Sequence, residues 1–487
     1  MLRSFSLQST KDCCVKLPCL AKNSLAVGHI SNFQTRPRFP PGPQFYDQLR
    51  LCLPLVGRCL YPCGKTKQRG KRQNEVLHKF FCFFSSKKRR RCGFKVEEKQ
   101  ISQTQLCALL WAGLMAPAAE LLPAVTLPIA GRGAWLSALA ALPVLLLLGW
   151  GLGRLGLRHG GLAGAIRWGL GPVVGRLVLL LYFIWGELLL ALRLRLCAQR
   201  LIASGERDGS LWFFLPAAAL LVLWMARGKL PAFARAGQVF LAVLLTAAGA
   251  VLLLSLPQVR GEHLLPLWWG DALPVLQSTV PLLGVLGYGV FAAFLLGDTE
   301  PSPRRERDWA LWAGGGCLLL GAEQAVVIGN LGPELARRLN SPFFALAKSV
   351  GVEGAFQRVE SIIAALWTFA DLSLLGVLAF ALWKAAKQIF PRAKQKPTVT
   401  AILIPGAVLG IAAFPEGVLA DAFGRETALL GNLMMGLALP LLVLAVCWGR
   451  GMFRHSPHFV YKSAQKTEDM VAEEQSEKKT EKTEKND

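Results

Sequence analysis

The chain is predicted to be an all-α integral membrane protein of about ten transmembrane helices, on three observations. Hydrophobic residues make up 53% of its 487 positions and charged residues only 18%, with a mean hydropathy of +0.39. A soluble domain of this size needs far more charge to cover its surface. Apolar stretches near the roughly 20 residues that cross a hydrocarbon core recur between residues 104 and 449, rich in Leu, Ala and Gly rather than alternating like barrel strands. Lysine and arginine concentrate in alternate short loops, which is a topology signal.

Taken in order, residues 1–97 form a basic extension that holds eight of the twelve cysteines: Cys13, Cys14, Cys19, Cys52, Cys59, Cys63, Cys82 and Cys92. It carries "KTKQRGKRQ" and the run Lys87 to Arg91, and shows neither a secretory signal core nor a convincing pair of CxxC motifs. It reads as a disordered extension, or as translated sequence upstream of the native start. The membrane domain, residues 98–450, is expected to place spans near 104–130, 134–153, 173–200, 210–227, 236–256, 274–297, 309–329, 359–384, 398–415 and 428–449. Residues 451–487, ending "EEQSEKKTEKTEKND", are charged and almost free of apolar residues, which predicts a disordered tail.

Orientation follows from loop charge. One set of loops carries Arg154, Arg158 and Arg167; Arg227, Lys229 and Arg235; Arg304, Arg305 and Arg307; and Lys384, Lys387, Arg392, Lys394 and Lys396. The opposite set holds Arg132, Arg207, Arg260 and Arg425, with one longer basic loop at 330–358. Both termini are therefore expected in the cytoplasm, which requires an even number of spans. The same alternation turns the net charge of +24 away from a nucleic-acid reading.

Two spans contain helix breakers. Span 1 reads "LLWAGLMAPAAELLPAVTLP", with Gly113, Pro117 and Pro123 inside the apolar run, and span 6 reads "VPLLGVLGYGVFAAFLLG", with Gly284, Gly287 and Gly289. Proline removes a backbone donor and glycine permits unwinding, so backbone groups freed near the midplane would cradle a ligand or ion. The ordinary alternative is close helix packing. The two spans stand first in each group of five, and halves of five spans would be inverted relative to each other.

Ionisable residues inside apolar spans are the next candidates, because each must face protein or water. They are Glu120, Glu187, Glu323 and Asp371, while Arg193 and Arg195 are expected to snorkel outward. Glu360, Ala364, Trp367 and Asp371 share one helical stripe. The carboxylates would contact a substrate amine, titrate, or pair with an arginine such as Arg193. Trp268 and Trp269 read as interfacial anchors, and no enzyme signature, metal site or cofactor motif is found.

The segment "FQRVESIIAALWTFADLSLL" (Phe356 to Leu375) resembles the spore germination permeases, the B-type subunits of bacterial spore germinant receptors. In the same order, "ISQTQL" (Ile101 to Leu106), "GAWLSALAALPVLLLL", "ARGKLPAFARAGQVF" and "LLPLWWGDALPVLQSTVPLLG" are similar to the family's segments around spans 1, 2, 4–5 and 6. The resemblance implies the amino acid–polyamine–organocation transporter superfamily, with its five-plus-five inverted repeat, the LeuT-like arrangement with broken helices 1 and 6. It implies a location in the bacterial cell or spore inner membrane, A and C subunits as partners, and a small germinant such as an amino acid. The implied substrate-binding residues are Gly113, Ala116 and Pro117 in span 1, Gly287, Tyr288 and Gly289 in span 6, and Trp367 in span 8, beside the carboxylates Glu120, Glu187 and Asp371. Three functions stay open: a germinant-receptor subunit, a proton-coupled amino acid transporter, and a membrane scaffold without ligand.

Overall fold

The computed structural model describes residues 100–205, 209–302, 304–339, 341–349 and 359–450; the cysteine-rich extension, the charged tail and Phe356 to Arg358 lie outside the described residues. The ten predicted spans are all present as helices. Among the described residues eight segments are long and apolar enough to cross a membrane; the first, Gln103–Arg154, holds two helices, and Leu211–Ala226 is a shorter apolar helix. The spans, numbered 1 to 10, are Gln103–Ala130, Leu142–His159, Pro172–Gly205, Leu211–Ala226, Leu230–Ser255, Ala272–Leu286 with its continuation, Arg305–Leu331, Val359–Ile389, Gln395–Ala412, and Thr427–Leu433 with its continuation to Gly449.

Span 1 shows how local chemistry sets the boundaries. Ser102 accepts a hydrogen bond on its side chain from the Gln105 amide, and the Gln105 side chain accepts one from the Ser102 amide, a capping box that satisfies two otherwise free donors. The helix stops at Gly131, whose φ of +50° suits glycine.

Contacts between helix ends fix the topology. On one face the start of span 1 meets the end of span 6 and the start of span 7, and other helix ends join them. Gln103 donates to the Arg305 carbonyl, Arg305 donates to the Gly153 carbonyl, and Ile101 pairs with Asp298 and Glu300 after span 6. Lys384 at the end of span 8 pairs with Asp298, Gln395 before span 9 donates to Ala226 and Gly228 after span 4, and Arg450 donates to Trp168. Odd spans therefore start, and even spans end, on one face. Residues 100 and 450 share that face, and it carries the basic loops. The opposite face joins Arg132 to Leu265 and His263 to Gly329.

The packing pattern repeats when each span number is shifted by five. Spans 1 and 5 pack together, as do 6 and 10; 1 packs on 7 as 6 packs on the approach to 2; 3 on 4 as 8 on 9; 3 on 9 as 8 on 4. The pairs 1 and 6, 2 and 7, 3 and 8, and 4 and 9 map onto themselves. Five spans per half place the second half upside down relative to the first.

The helix irregularities are specific. Span 6 changes from α to 3-10 geometry at Gly287–Gly289 and resumes as α at Val290–Ala293. Span 1 takes a milder form: it stays helical from Gln103 to Ala130, with Pro117, Pro123 and Pro128 removing three backbone donors along it. Span 10 adds an irregular turn that its sequence did not announce, a π-helical segment at Met434–Ala438. This turn packs on the 3-10 turn of span 6 backbone to backbone: a Cβ on Gly436 would lie 2.7 Å from the Gly287 Cα, and one on Gly287 would lie 2.6 Å from the Asn432 carbonyl oxygen. Gly287→Ala is therefore expected to destabilise the protein by about 1–3 kcal/mol, as overpacking does. Gly314→Ala, with nothing within 4 Å of the new methyl group, should be near neutral. Thermal unfolding of the two variants in one detergent checks the contrast.

Candidate functional site

At the centre of the bundle lies a four-membered ion-pair network linking spans 1, 3 and 8. Arg193 and Arg200 stand seven residues apart on span 3, two helical turns, so both face the same neighbours. Arg193 donates to Glu120 at 3.0 Å and to Asp371 at 2.9 Å. Arg200 donates to the same Glu120 oxygen at 3.1 Å and to the second Asp371 oxygen. Each arginine thus holds both carboxylates. The Arg193 side chain is 0% exposed and that of Asp371 1%, whereas Arg200 and Glu120 keep 10% and 14%. The inner pair is sealed and the outer pair reaches solvent.

This corrects the expectation that Arg193 and Arg195 snorkel outward. Lipid-facing residues of span 3 end at Ile184: Val173, Val174, Leu177, Leu180, Leu181 and Ile184 are exposed, but every residue from Leu189 to Ala198 is buried. At Arg193 there is no lipid to leave. Arg195 is also buried and donates to the carbonyls of Phe414, at 2.8 Å, and Pro415, capping the end of span 9.

The predicted residues divide into groups. Glu120 and Asp371 are in the network. Trp367, one turn from Asp371, donates its indole N–H to the Met115 carbonyl at 3.2 Å and packs against Phe343 and Phe344 of the loop helix Pro342–Ser349. Tyr288 is buried within interaction range of Arg193 and Asn432. The Glu360 side chain lies outside the described residues.

The other predicted residues sit apart from the network. Glu187 points to span 9, where a Cβ on Gly406 would lie 3.2 Å from its carboxylate, and neither of its oxygens has a hydrogen-bond partner. Gly113 brings span 1 against the Leu374 backbone of span 8, with Ala116 and Pro117 buried in the same helix. Gly287 and Gly289 line a separate apolar cavity of about 110 Å³ beside Leu110, Leu114 and Val290, toward the basic face. Glu323 is buried on span 7 beside Gln324, whose side-chain oxygen accepts from Thr126.

On the opposite face a larger cavity, about 490 Å³, opens onto the network. Glu120 and Arg200 form its floor; the loop helix Pro342–Ser349 contributes Phe344 and Lys348, and Gly417–Arg425 contributes Asp421 and Arg425. The Arg200 guanidinium lies 5.5 Å from the centre of the Phe344 ring. Arg200 and this cavity were missed from the sequence, because Arg200 stands at the predicted end of span 3. The seven-residue spacing from Arg193, with two intramembrane carboxylates to be neutralised, was the usable signal.

Such an arrangement, a many-span helical protein with a charged centre beneath an open cavity, defines a permease-like membrane protein. The family model described as spore germination protein matches residues 100–416, and the chain belongs to that family. No curated protein matches the chain. Among solved structures it is similar to a manganese transporter of Eremococcus coleocola. One mutant form of that transporter has 14% identity, covering 71% of this chain and 81% of that one, with a TM-score of 0.48. Another mutant form has 16% identity, 70% and 78% coverage, and a TM-score of 0.46. Among the described residues no three His, Cys, Asp or Glu side chains are grouped to hold a metal ion.

Breaking one partner of the sealed pair leaves a buried, under-compensated arginine. Asp371→Asn is expected to cost about 3–5 kcal/mol, whereas Arg193→Met combined with Asp371→Leu should cost clearly less, because apolar groups can replace a buried pair and Glu120 still pairs with Arg200. Denaturant unfolding of the single and double variants in detergent measures the difference. A double-variant loss equal to the sum of the losses of Asp371→Asn and Arg193→Met measured singly would show that the pair is not coupled.

Proposed function

We propose that the protein is a germinant-receptor subunit that binds a small nutrient, an amino acid or a similar molecule, in the cavity above the network. The observation that carries this reading is the partial exposure of Glu120 and Arg200 at the cavity floor, while Asp371 and Arg193 behind them are sealed. A carboxylate and a guanidinium side by side offer an ammonium and a carboxylate of a ligand their complements, in surroundings where such contacts are strong. Arg200 already bonds both carboxylates, so a ligand that competes for it loosens the tie between spans 1 and 8. Binding would thereby become a conformational signal.

Family membership supports a role in germination, with A and C subunits as partners and membrane lipid as surroundings. By the positive-inside rule the basic face is cytoplasmic, which puts both termini there and turns the cavity outward from the bacterial cell or spore inner membrane.

The test is equilibrium binding and thermal shift of the purified chain in nanodiscs across a panel of amino acids, sugars and nucleosides, with Glu120→Gln and Arg200→Gln as variants. At least one nutrient should stabilise the wild type. Each variant should weaken it by about tenfold or more, as expected for loss of a charged hydrogen bond. Binding without net uptake into vesicles, and co-purification with A and C subunits, fits a receptor; concentrative uptake would replace this reading with a transporter. A panel that shifts nothing would leave a scaffold.

A further inference from the structure

The basic face is uneven in charge. In one sector cations and carboxylates are mixed: Arg154 pairs with Glu306, and Arg304, Arg305 and Arg307 share their stretch of chain with Glu300, Glu306 and Asp308. A second sector, where span 3 starts and span 8 ends, holds cations alone. Neither residues 121–186 nor residues 372–415 contain an aspartate or glutamate. Arg167 draws the two helix ends together: it donates to the Gln388 carbonyl at 3.0 Å, and a Cβ on Gly175 would lie 2.9 Å from its Cα. Arg176 and Lys387, the sequence neighbours of Gly175 and Gln388, are exposed, as are Arg392, Lys394 and Lys396 on the way into span 9. Among the described residues none of these five forms an ion pair with a carboxylate; Lys387 has its ammonium 5.7 Å from the centre of the Trp383 ring. Loop charge as a topology signal calls for cations on this face, but not for one sector cleared of carboxylates.

The same sector borders lipid. Val173, Val174, Leu177, Leu180 and Leu181 are exposed on either side of Arg176 along span 3, and Phe390 is exposed beside Arg392. We propose that this sector is a binding site for an anionic phospholipid of the leaflet bordering the basic face. Its phosphate would lie between Arg176 and Lys387, with its acyl chains along the apolar side of span 3. Guanidinium and ammonium groups donate charge-assisted hydrogen bonds to phosphate. Cations set at the edge of lipid-facing apolar surface match a molecule whose charge and hydrocarbon are joined, whereas a soluble anion would use only the cations. Span 3 carries Arg193 and Arg200, and span 8 carries Asp371, so the lipid would clamp at the membrane edge two helices that the network joins at the centre.

The experiment is native mass spectrometry of the full chain in mixed micelles, titrated with phosphatidylglycerol or phosphatidylcholine, with glycerol phosphate as a soluble competitor. Phosphatidylglycerol should bind at least about tenfold tighter than phosphatidylcholine, and added salt should narrow the difference. Arg176→Gln and Lys387→Gln should each weaken phosphatidylglycerol by about fivefold, the effect of one cation at a charged headgroup, and leave phosphatidylcholine unchanged. Arg307→Gln removes an equal, exposed charge from the mixed sector and should change neither lipid by more than about twofold. Equal binding of the two lipids overturns the proposal. A loss in Arg307→Gln as large as that in Arg176→Gln also overturns it, since attraction would then be spread over the whole face. Full displacement by glycerol phosphate would replace the lipid with a soluble anion.

Discussion

A guanidinium in the middle of a membrane protein must be matched, and much of this structure follows from how Arg193 is matched. An unpaired charge removed from water costs several kcal/mol even after relaxation, so Arg193, fully buried, demands both Glu120 and Asp371. Those carboxylates come from different halves of the chain, one on span 1 and one on span 8. The demand of one side chain therefore holds three helices in a single relative position. Arg200 repeats the demand two turns further along, but in contact with solvent, where its cost is lower and its bonds exchange more readily. Two arginines making the same contacts at different depths separate a structural pair from an accessible one.

The irregular turns complement that arrangement instead of competing with it. The 3-10 turn at Gly287–Gly289 and the π turn at Met434–Ala438 meet where spans 6 and 10 approach at backbone contact, a distance only glycine allows. Tyr288, between the two glycines of its turn, is thereby brought toward Arg193. The loosened backbone positions a side chain beside the charged centre, and the glycines that permit it are themselves consumed in packing. Gly113 does the same work between spans 1 and 8, against Leu374.

This explains what the sequence could and could not reveal. Span number, order and the shared face of residues 100 and 450 were legible because hydrocarbon thickness and loop charge act on composition, which a sequence displays directly. Glu120, Asp371 and Trp367 were legible because an intramembrane carboxylate is costly and a four-residue spacing fixes a common face. Glu187 satisfied the same cost argument, yet it points at Gly406 on span 9, since a single helix does not say which neighbour it faces. Arg193 was read as lipid-facing because burial along span 3 changes halfway, at a position set by helices distant in sequence. The glycine-rich break of span 6 was legible as a break. Whether a glycine admits a ligand or another helix depends on what lies opposite, and opposite Gly287 lies Asn432.

The two cavities sit on either side of this centre and differ in kind. The one toward the basic face is small and apolar, walled by Leu110, Leu114 and the glycines of span 6; the other is larger, charged and covered by two loop helices. Between them run Trp367, whose indole is tied to span 1, and the sealed pair of Arg193 and Asp371. A ligand in the outer cavity meets exchangeable bonds first, at Arg200 and Glu120, and reaches the sealed pair only through them. Disturbing Arg200 leaves the inner bonds of Arg193 to both carboxylates in place. The bundle can therefore register a ligand at its outer layer without losing the contact that holds spans 1, 3 and 8 together. Graded exposure of two arginines on one helix stripe is the physical basis for that division of labour.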